Sequence, residues 1–192
     1  MENSSQNPKD NSRIQKIIDS MKETNFIKRG DFTLKSGIHS NYYVDVKSLI
    51  SYPHIMANLC NLIYIKIIDV IKKEQLKLTD IVLCGLPYAG IPFASYISFM
   101  HKIPMILLRK EKKTYGTKKV FEGSLEQKKH LILIDDILTT GISILESLED
   151  FREYNINTSA VVLIDREENG GKGAVYKRLK NIEAVFTLNK FL

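Results

Sequence analysis

Four short runs, Ile81 to Cys84, Met105 to Leu108, Leu131 to Ile134 and Ala160 to Ile164, are apolar at nearly every position. A strand with one wet face alternates apolar and polar residues, so runs without alternation suit strands covered on both faces, as in parallel sheets. Helical or loop segments separate them, which predicts right-handed crossovers and a doubly wound α/β fold. In such a fold ligands gather at the carboxyl ends of the strands. The chain has 192 residues, 44% of them hydrophobic, enough for one core of single-domain size. No repeat or linker divides it.

The flanking segments fill in this outline. Residues 1–11 are polar and rich in Asn, and predict a disordered tail, not a signal peptide. Ser12 is placed to cap a helix carrying Ile14, Ile17, Ile18 and Met21, with Gly30 ending that region. From Asp31 to Val46 the pattern is of short strands around a Ser36-Gly37 turn. Pro53 opens a long apolar helix reaching about Glu74. Asn58, Asn61, Lys66 and Asp69 interrupt it, so it is expected to be a core helix and not a membrane span. Cys60 and Cys84 lie in apolar runs and predict buried free thiols in a reducing cytoplasm.

The formal charge is +6, and five of those charges lie between Arg109 and Lys119, where Arg109, Lys110, Lys112, Lys113, Lys118 and Lys119 face only Glu111. Charge this concentrated argues for one focused anion site and against a broad nucleic-acid footprint. The segment is too polar to pack and suits a lid that closes over a departing anion. A solvated basic loop or a nucleic-acid patch remains open from the residues alone.

The richest segment is Leu131-Ile-Leu-Ile-Asp135-Asp136-Ile-Leu-Thr139-Thr140-Gly141. A buried strand ends in two carboxylates, and a helix is expected to start near Ile142. The Thr-Thr-Gly turn can aim several backbone N–H groups at one point, where the helix dipole also favours a phosphate. Adjacent carboxylates would repel that phosphate unless they faced sugar hydroxyls or a metal, and a ribose phosphate meets both demands. A capped turn with solvated acids is the open alternative. The lysine and glycine spacing of a nucleoside-triphosphate loop is absent.

This segment resembles the signature with which type I phosphoribosyltransferases bind 5-phosphoribosyl 1-diphosphate (PRPP). The resemblance implies that Asp135 and Asp136 hold the ribose hydroxyls and act as catalytic residues, while Thr139, Thr140, Gly141, Ile142 and Ser143 wrap the 5-phosphate and Ile137 and Leu138 also contact PRPP. Four further segments resemble the orotate phosphoribosyltransferases. Phe32-Thr-Leu-Lys35-Ser-Gly37 with Ser40-Asn-Tyr-Tyr43 is similar to their amino-terminal hood, implying substrate contacts from Lys35, Tyr43 and Val44. Gly85-Leu-Pro87-Tyr88-Ala89-Gly90 is similar to their diphosphate loop, implying PRPP contacts from Tyr88 and Ala89; some members carry a lysine where Ala89 stands. The basic segment matches their lid at Arg109, Lys110, Lys113 and Tyr115, with Lys113 catalytic, although Thr114 stands where aspartate is expected. Arg166, in Asp165-Arg166-Glu167, falls where the family binds the orotate carboxylate, with Thr139 also against the base; the Gly170-Gly171 pair comes one residue later than expected.

Taken residue by residue without the resemblance, Lys35 could be merely solvated, the Gly85–Gly90 stretch any turn, and Asp165–Arg166 a salt-bridged corner. With it, the implied chain is one phosphoribosyltransferase domain over residues 12–192, with a hood over about 12–50. The implied reaction joins orotate to PRPP, giving orotidine 5′-monophosphate and diphosphate, in pyrimidine (UMP) biosynthesis. Mg²⁺ would be carried mainly by PRPP, since the four histidines lack metal-ligand spacing. A cytoplasmic homodimer with shared active sites is implied, with no nucleic-acid or membrane partner and no decarboxylase domain. A phosphoribosyltransferase for another base, or a PRPP-binding regulator of the same fold, are the alternatives.

Overall fold

The computed structural model describes residues 8–33, 37, 39–109, 120–167, 171–179 and 181–192. Helix α1 spans Pro8–Glu23, followed by strands β1, Ile27–Thr33, and β2, His39–Val44. Helix α2, Pro53–Lys73, leads to β3, Ile81–Gly85, α3, Gly90–His101, and β4, Met105–Leu108. The remainder is β5, Phe121–Glu122, β6, His130–Leu138, α4, Ile142–Asp150, β7, Asn157–Asp165, α5, Gly171–Tyr176, and β8, Ile182–Thr187.

The main sheet has the order β5-β4-β3-β6-β7-β8, parallel except for β5. Alternate residues of each central strand enter different cores. Ile81, Leu83, Ile132, Ile134, Val161 and Leu163 meet α1, α2 and α3 on one face, while Val82, Cys84, Leu131, Leu133, Ala160 and Val162 meet the α4 and α5 residues Ile144 and Val175 on the other. This double coverage is why the strands read as unbroken apolar runs. Helix α2 is long and apolar enough to cross a bilayer by length and composition alone. Its residues Ile55, Leu59, Ile63, Ile67 and Val70 are buried within that first core, at helical spacing. Burial pushes the thiols of both Cys60 and Cys84 up to about 12, so they act as small hydrophobes.

Connections from β3 run outward through α3 to β4, whereas β6 lies on the opposite side of β3 and β7 and β8 continue that way. The strand order therefore reverses between β3 and β6, and a crevice opens beyond their carboxyl ends. Strands β1 and β2 form a separate antiparallel ribbon, with Ile27 opposite Val44, Thr33 opposite His39 and a register shift between Arg29 and Phe32. The chain then makes a 3-10 turn at Val46–Ser51 before α2.

Several boundaries differ from the sequence reading. Helix α1 starts at Pro8, whose fixed φ suits a first helical turn, so residues 8–11 are helical and not part of a disordered tail. Strand β1 starts at Ile27 and runs through Gly30; its Lys28, Arg29 and Asp31 are exposed, so no apolar pattern announces it. Strand β6 extends through Leu138, which places Asp135 and Asp136 inside the strand. Strand β8, and the short β5, were not expected. In β8 only Ile182 and Phe186 are buried, with Glu183 between them, a weaker signal than a two-sided apolar run.

Candidate active site

The loop after β3 is tied to β6. The Leu86 N–H donates to the Ile134 carbonyl at 2.8 Å, and the Gly90 N–H returns to the Leu86 carbonyl at 2.9 Å. A Cβ on Gly85 would collide with the Gly90 backbone, and one on Gly90 with the Ile134 carbonyl. Two glycines thus let the loop lie against its neighbouring strand, with the Pro87–Tyr88 peptide cis and Tyr88 largely exposed at the crevice.

Opposite it, β6 delivers the acid pair. The Asp136 N–H donates to Asp135 Oδ1 at 2.9 Å, and the Ile137 N–H to Asp136 Oδ1 at 3.0 Å. Burial raises the Asp135 pKa well above the ordinary carboxylate value, the neighbouring Asp136 charge raises it further, and Lys47 opposes both. Asp136 is raised as well, chiefly by burial, with its contact to Asp135 and the Lys47 charge acting the other way. Two carboxyls so placed gain from any ligand that brings hydroxyl donors or positive charge.

After Leu138 the chain turns through Thr139, Thr140 and Gly141 into α4. Gly141 is left-handed at φ 77° and offers no side chain to cap the helix. The first turn of α4 has no side-chain cap, and Gly141, Ile142 and Ser143 line the crevice, so its N–H groups and the positive end of the helix dipole are available to a phosphate.

Strand β7 supplies the third element. The Arg166 N–H donates to the Leu138 carbonyl at 3.0 Å, which fixes Arg166 beside the end of β6. Its Nη2 donates to Ser40 Oγ at 3.2 Å, and its guanidinium carbon stands 4.9 Å from the Tyr42 ring centroid. The side chain is only 6% exposed. Asp165 accepts the Glu167 N–H at 2.8 Å and meets Lys172 Nζ at 3.3 Å. Tyr43, Val44, Asp45, Val46, Lys47, the whole stretch 135–144, Glu146 and Arg166 line one cleft of about 350 Å³.

A phosphoribosyl transferase domain family matches residues 58–191. The orotate phosphoribosyltransferase of Methanosphaera stadtmanae is 37% identical over 179 residues, which cover 92% of this chain and 94% of that protein. The chain belongs to the orotate phosphoribosyltransferase family. It is also 32% identical to bovine uridine 5′-monophosphate synthase over 92% of its own length but only 35% of that longer protein. The crystal structure of orotate phosphoribosyltransferase from Aeropyrum pernix superposes with a TM-score of 0.72 at 26% identity, covering 92% of this chain and 96% of that one.

Of the residues that the orotate phosphoribosyltransferase resemblance singles out, the cleft gathers Tyr43, Val44, Asp135, Asp136, Ile137, Leu138, Thr139, Thr140, Gly141, Ile142, Ser143 and Arg166. Tyr88 and Ala89 line an adjoining hollow of about 170 Å³ with Lys47 and Ile50. Arg109 does not line either; its guanidinium pairs with Glu122 on β5, and its N–H donates to the Val120 carbonyl at 2.8 Å. Lys35, Lys110, Lys113, Thr114, Tyr115 and Gly170 lie outside the described residues. The sequence reading missed Ser40, Tyr42 and Lys47. Strand alternation could have supplied the first two, because Ser40, Tyr42 and Val44 share a face of β2.

Proposed function

We propose that this protein transfers the phosphoribosyl group of PRPP to orotate, releasing orotidine 5′-monophosphate and diphosphate in pyrimidine (UMP) biosynthesis. The observation that carries this reading is the convergence, in one cleft, of a buried acid pair, an uncapped helix start and a fixed guanidinium. The 5-phosphate sits on the α4 amino terminus, wrapped by 139–143, and Asp135 and Asp136 take the ribose hydroxyls. Arg166 binds the orotate carboxylate, which fixes the base with N1 towards C1′. Tyr43 and Val44 cover the base from the hood, and Lys35 reaches over both substrates. As the bond to diphosphate breaks, positive charge grows on the ribose ring and negative charge on the leaving group, so orientation and fixed charge lower the barrier without a protein nucleophile.

Mg²⁺ carried by PRPP would neutralise charge on the diphosphate. The buried acid pair fits a sugar that arrives with its own cation, since raised carboxyls gain from hydroxyl donors and positive charge. Arg109, Lys110, Lys113 and Tyr115 form the lid, which in a cytoplasmic homodimer closes over the partner subunit's site, and Tyr88 and Ala89 line the diphosphate. Among the described residues that flank the lid segment, Leu108 on β4 stands opposite Phe121 on β5. The test is to mix purified protein with PRPP, Mg²⁺ and orotate and follow loss of orotate absorbance. PRPP-dependent loss that stops on chelation supports the proposal, and no loss with folded protein overturns it.

A further inference from the structure

We infer that Lys47 is a further substrate-binding residue, reaching the diphosphate of PRPP from the hood side and supplying the cation that the β3–α3 loop lacks. This rests on reading the cleft as a PRPP site. The β3–α3 loop carries Ala89 and no charged side chain between Gly85 and Gly90, so it can offer a diphosphate backbone N–H groups but no cation. The acid pair across the crevice would meanwhile repel that anion.

The 3-10 turn at Val46–Ser51 places a lysine at this gap. With about three residues per turn, positions three apart fall on one face. Val46 and Leu49 are buried at 2% and 0% and anchor the turn in the core. Lys47 and Ile50 share the next face, and both line the hollow that holds Tyr88 and Ala89. Lys47 also lines the main cleft with Asp135, Asp136 and the Thr139–Ser143 turn, so its ammonium serves the seam between the two hollows. The turn itself is fixed. The Asp45 N–H donates to the Phe26 carbonyl at 2.7 Å, Ser48 Oγ to the Asp45 carbonyl at 2.7 Å, and the Tyr52 N–H to the Leu49 carbonyl at 2.9 Å.

Lys47 makes no hydrogen bond or ion pair with a described residue, and the nearby Asp45 carboxylate is taken by Lys28 at 3.6 Å. Its charge nevertheless acts on both buried carboxyls. A compact ammonium on a flexible stem, near the acid pair but bonded to neither member, is suited to a phosphate oxygen. It would bind the diphosphate while offsetting the repulsion from Asp135 and Asp136.

Calorimetry on the full chain with Mg²⁺ separates the possibilities, using PRPP and orotidine 5′-monophosphate as probes. The second ligand keeps the ribose and 5-phosphate but has no diphosphate. Lys47→Met should weaken PRPP about tenfold and orotidine 5′-monophosphate less than about twofold, with Lys47→Arg restoring most of the PRPP affinity. Unchanged PRPP affinity in Lys47→Met overturns the assignment. An equal loss for both ligands also overturns it, since Lys47 would then act only through the acid pair. Wild-type protein that binds neither ligand overturns the PRPP site and this assignment together.

Discussion

Arg166 is held by its backbone to β6, by the Ser40 hydroxyl and by the Tyr42 ring, so the residue that would read the base is positioned partly by the hood. Arg166→Ala should cost about 2 to 4 kcal/mol of transition-state stabilisation with orotate, read from kcat/KM, because a desolvated charge pair is lost. Tyr42→Leu should raise the KM for orotate more than Tyr42→Phe, which keeps the ring face; equal effects would show that stacking is irrelevant. The acid pair makes a separate prediction about stability. Its pKa values are raised in the folded protein, so the native state retains a proton that the unfolded chain has lost. The cost is absent below the unfolded carboxyl value of about 3.9 and grows as pH rises through the raised native value. Asp135→Asn should therefore raise Tm at pH above neutrality while abolishing turnover, and the Tm gain should vanish near pH 4; a destabilised Asp135→Asn at high pH would contradict this. The sequence put the acids, the turn and Arg166 near the carboxyl ends of strands, and all of them line the cleft; the role proposed for Arg166 came from the family resemblance, because spacing alone left a salt-bridged corner open. The Ser40 and Tyr42 contacts to Arg166 were not legible in sequence, since they span more than 120 residues and depend on how the ribbon docks.

At the level of elements, the crevice exists because the sheet order reverses between β3 and β6 and because the loop after β3 lies flat on β6. Gly90→Ala forces a Cβ against the Ile134 carbonyl, so it should destabilise the fold by about 1 to 3 kcal/mol in denaturant titration and weaken PRPP by displacing Tyr88 and Ala89. A Gly90→Ala protein of wild-type stability would show that the loop has room to move. Strands β3, β6 and β7 could be read from sequence since burial on both faces leaves a run without polar positions, whereas β4 is apolar throughout yet buries only Ile106 and exposes Leu107. The same criterion passes over β8, where Glu183 breaks the run and Ala184 and Val185 are only half-buried. It also stops β6 at Ile134, because two carboxylates look like the end of a strand even when the ladder continues to Leu138.

For the whole molecule, the two-fold dimer proposed above, in which each lid would serve the partner's site, has its own test. Co-refolding Lys113→Ala chains with Asp136→Ala chains, each inactive alone, makes about half the dimers mixed, and each mixed dimer holds one intact site, so activity should return to about a quarter of wild type. Mixtures no more active than the parents, despite subunit exchange, would mean that each lid serves its own chain. The claim on which the rest depends is that a fixed guanidinium selects a carboxylated pyrimidine for attack on PRPP. It is tested most directly by giving the protein PRPP, Mg²⁺ and equal orotate and uracil, and measuring the two nucleotide products for wild type and Arg166→Ala. Orotidine 5′-monophosphate as the dominant product of the wild type, with that preference largely lost in Arg166→Ala, is the predicted result; uridine 5′-monophosphate formed as readily by the wild type, or an unchanged preference in the variant, would contradict it.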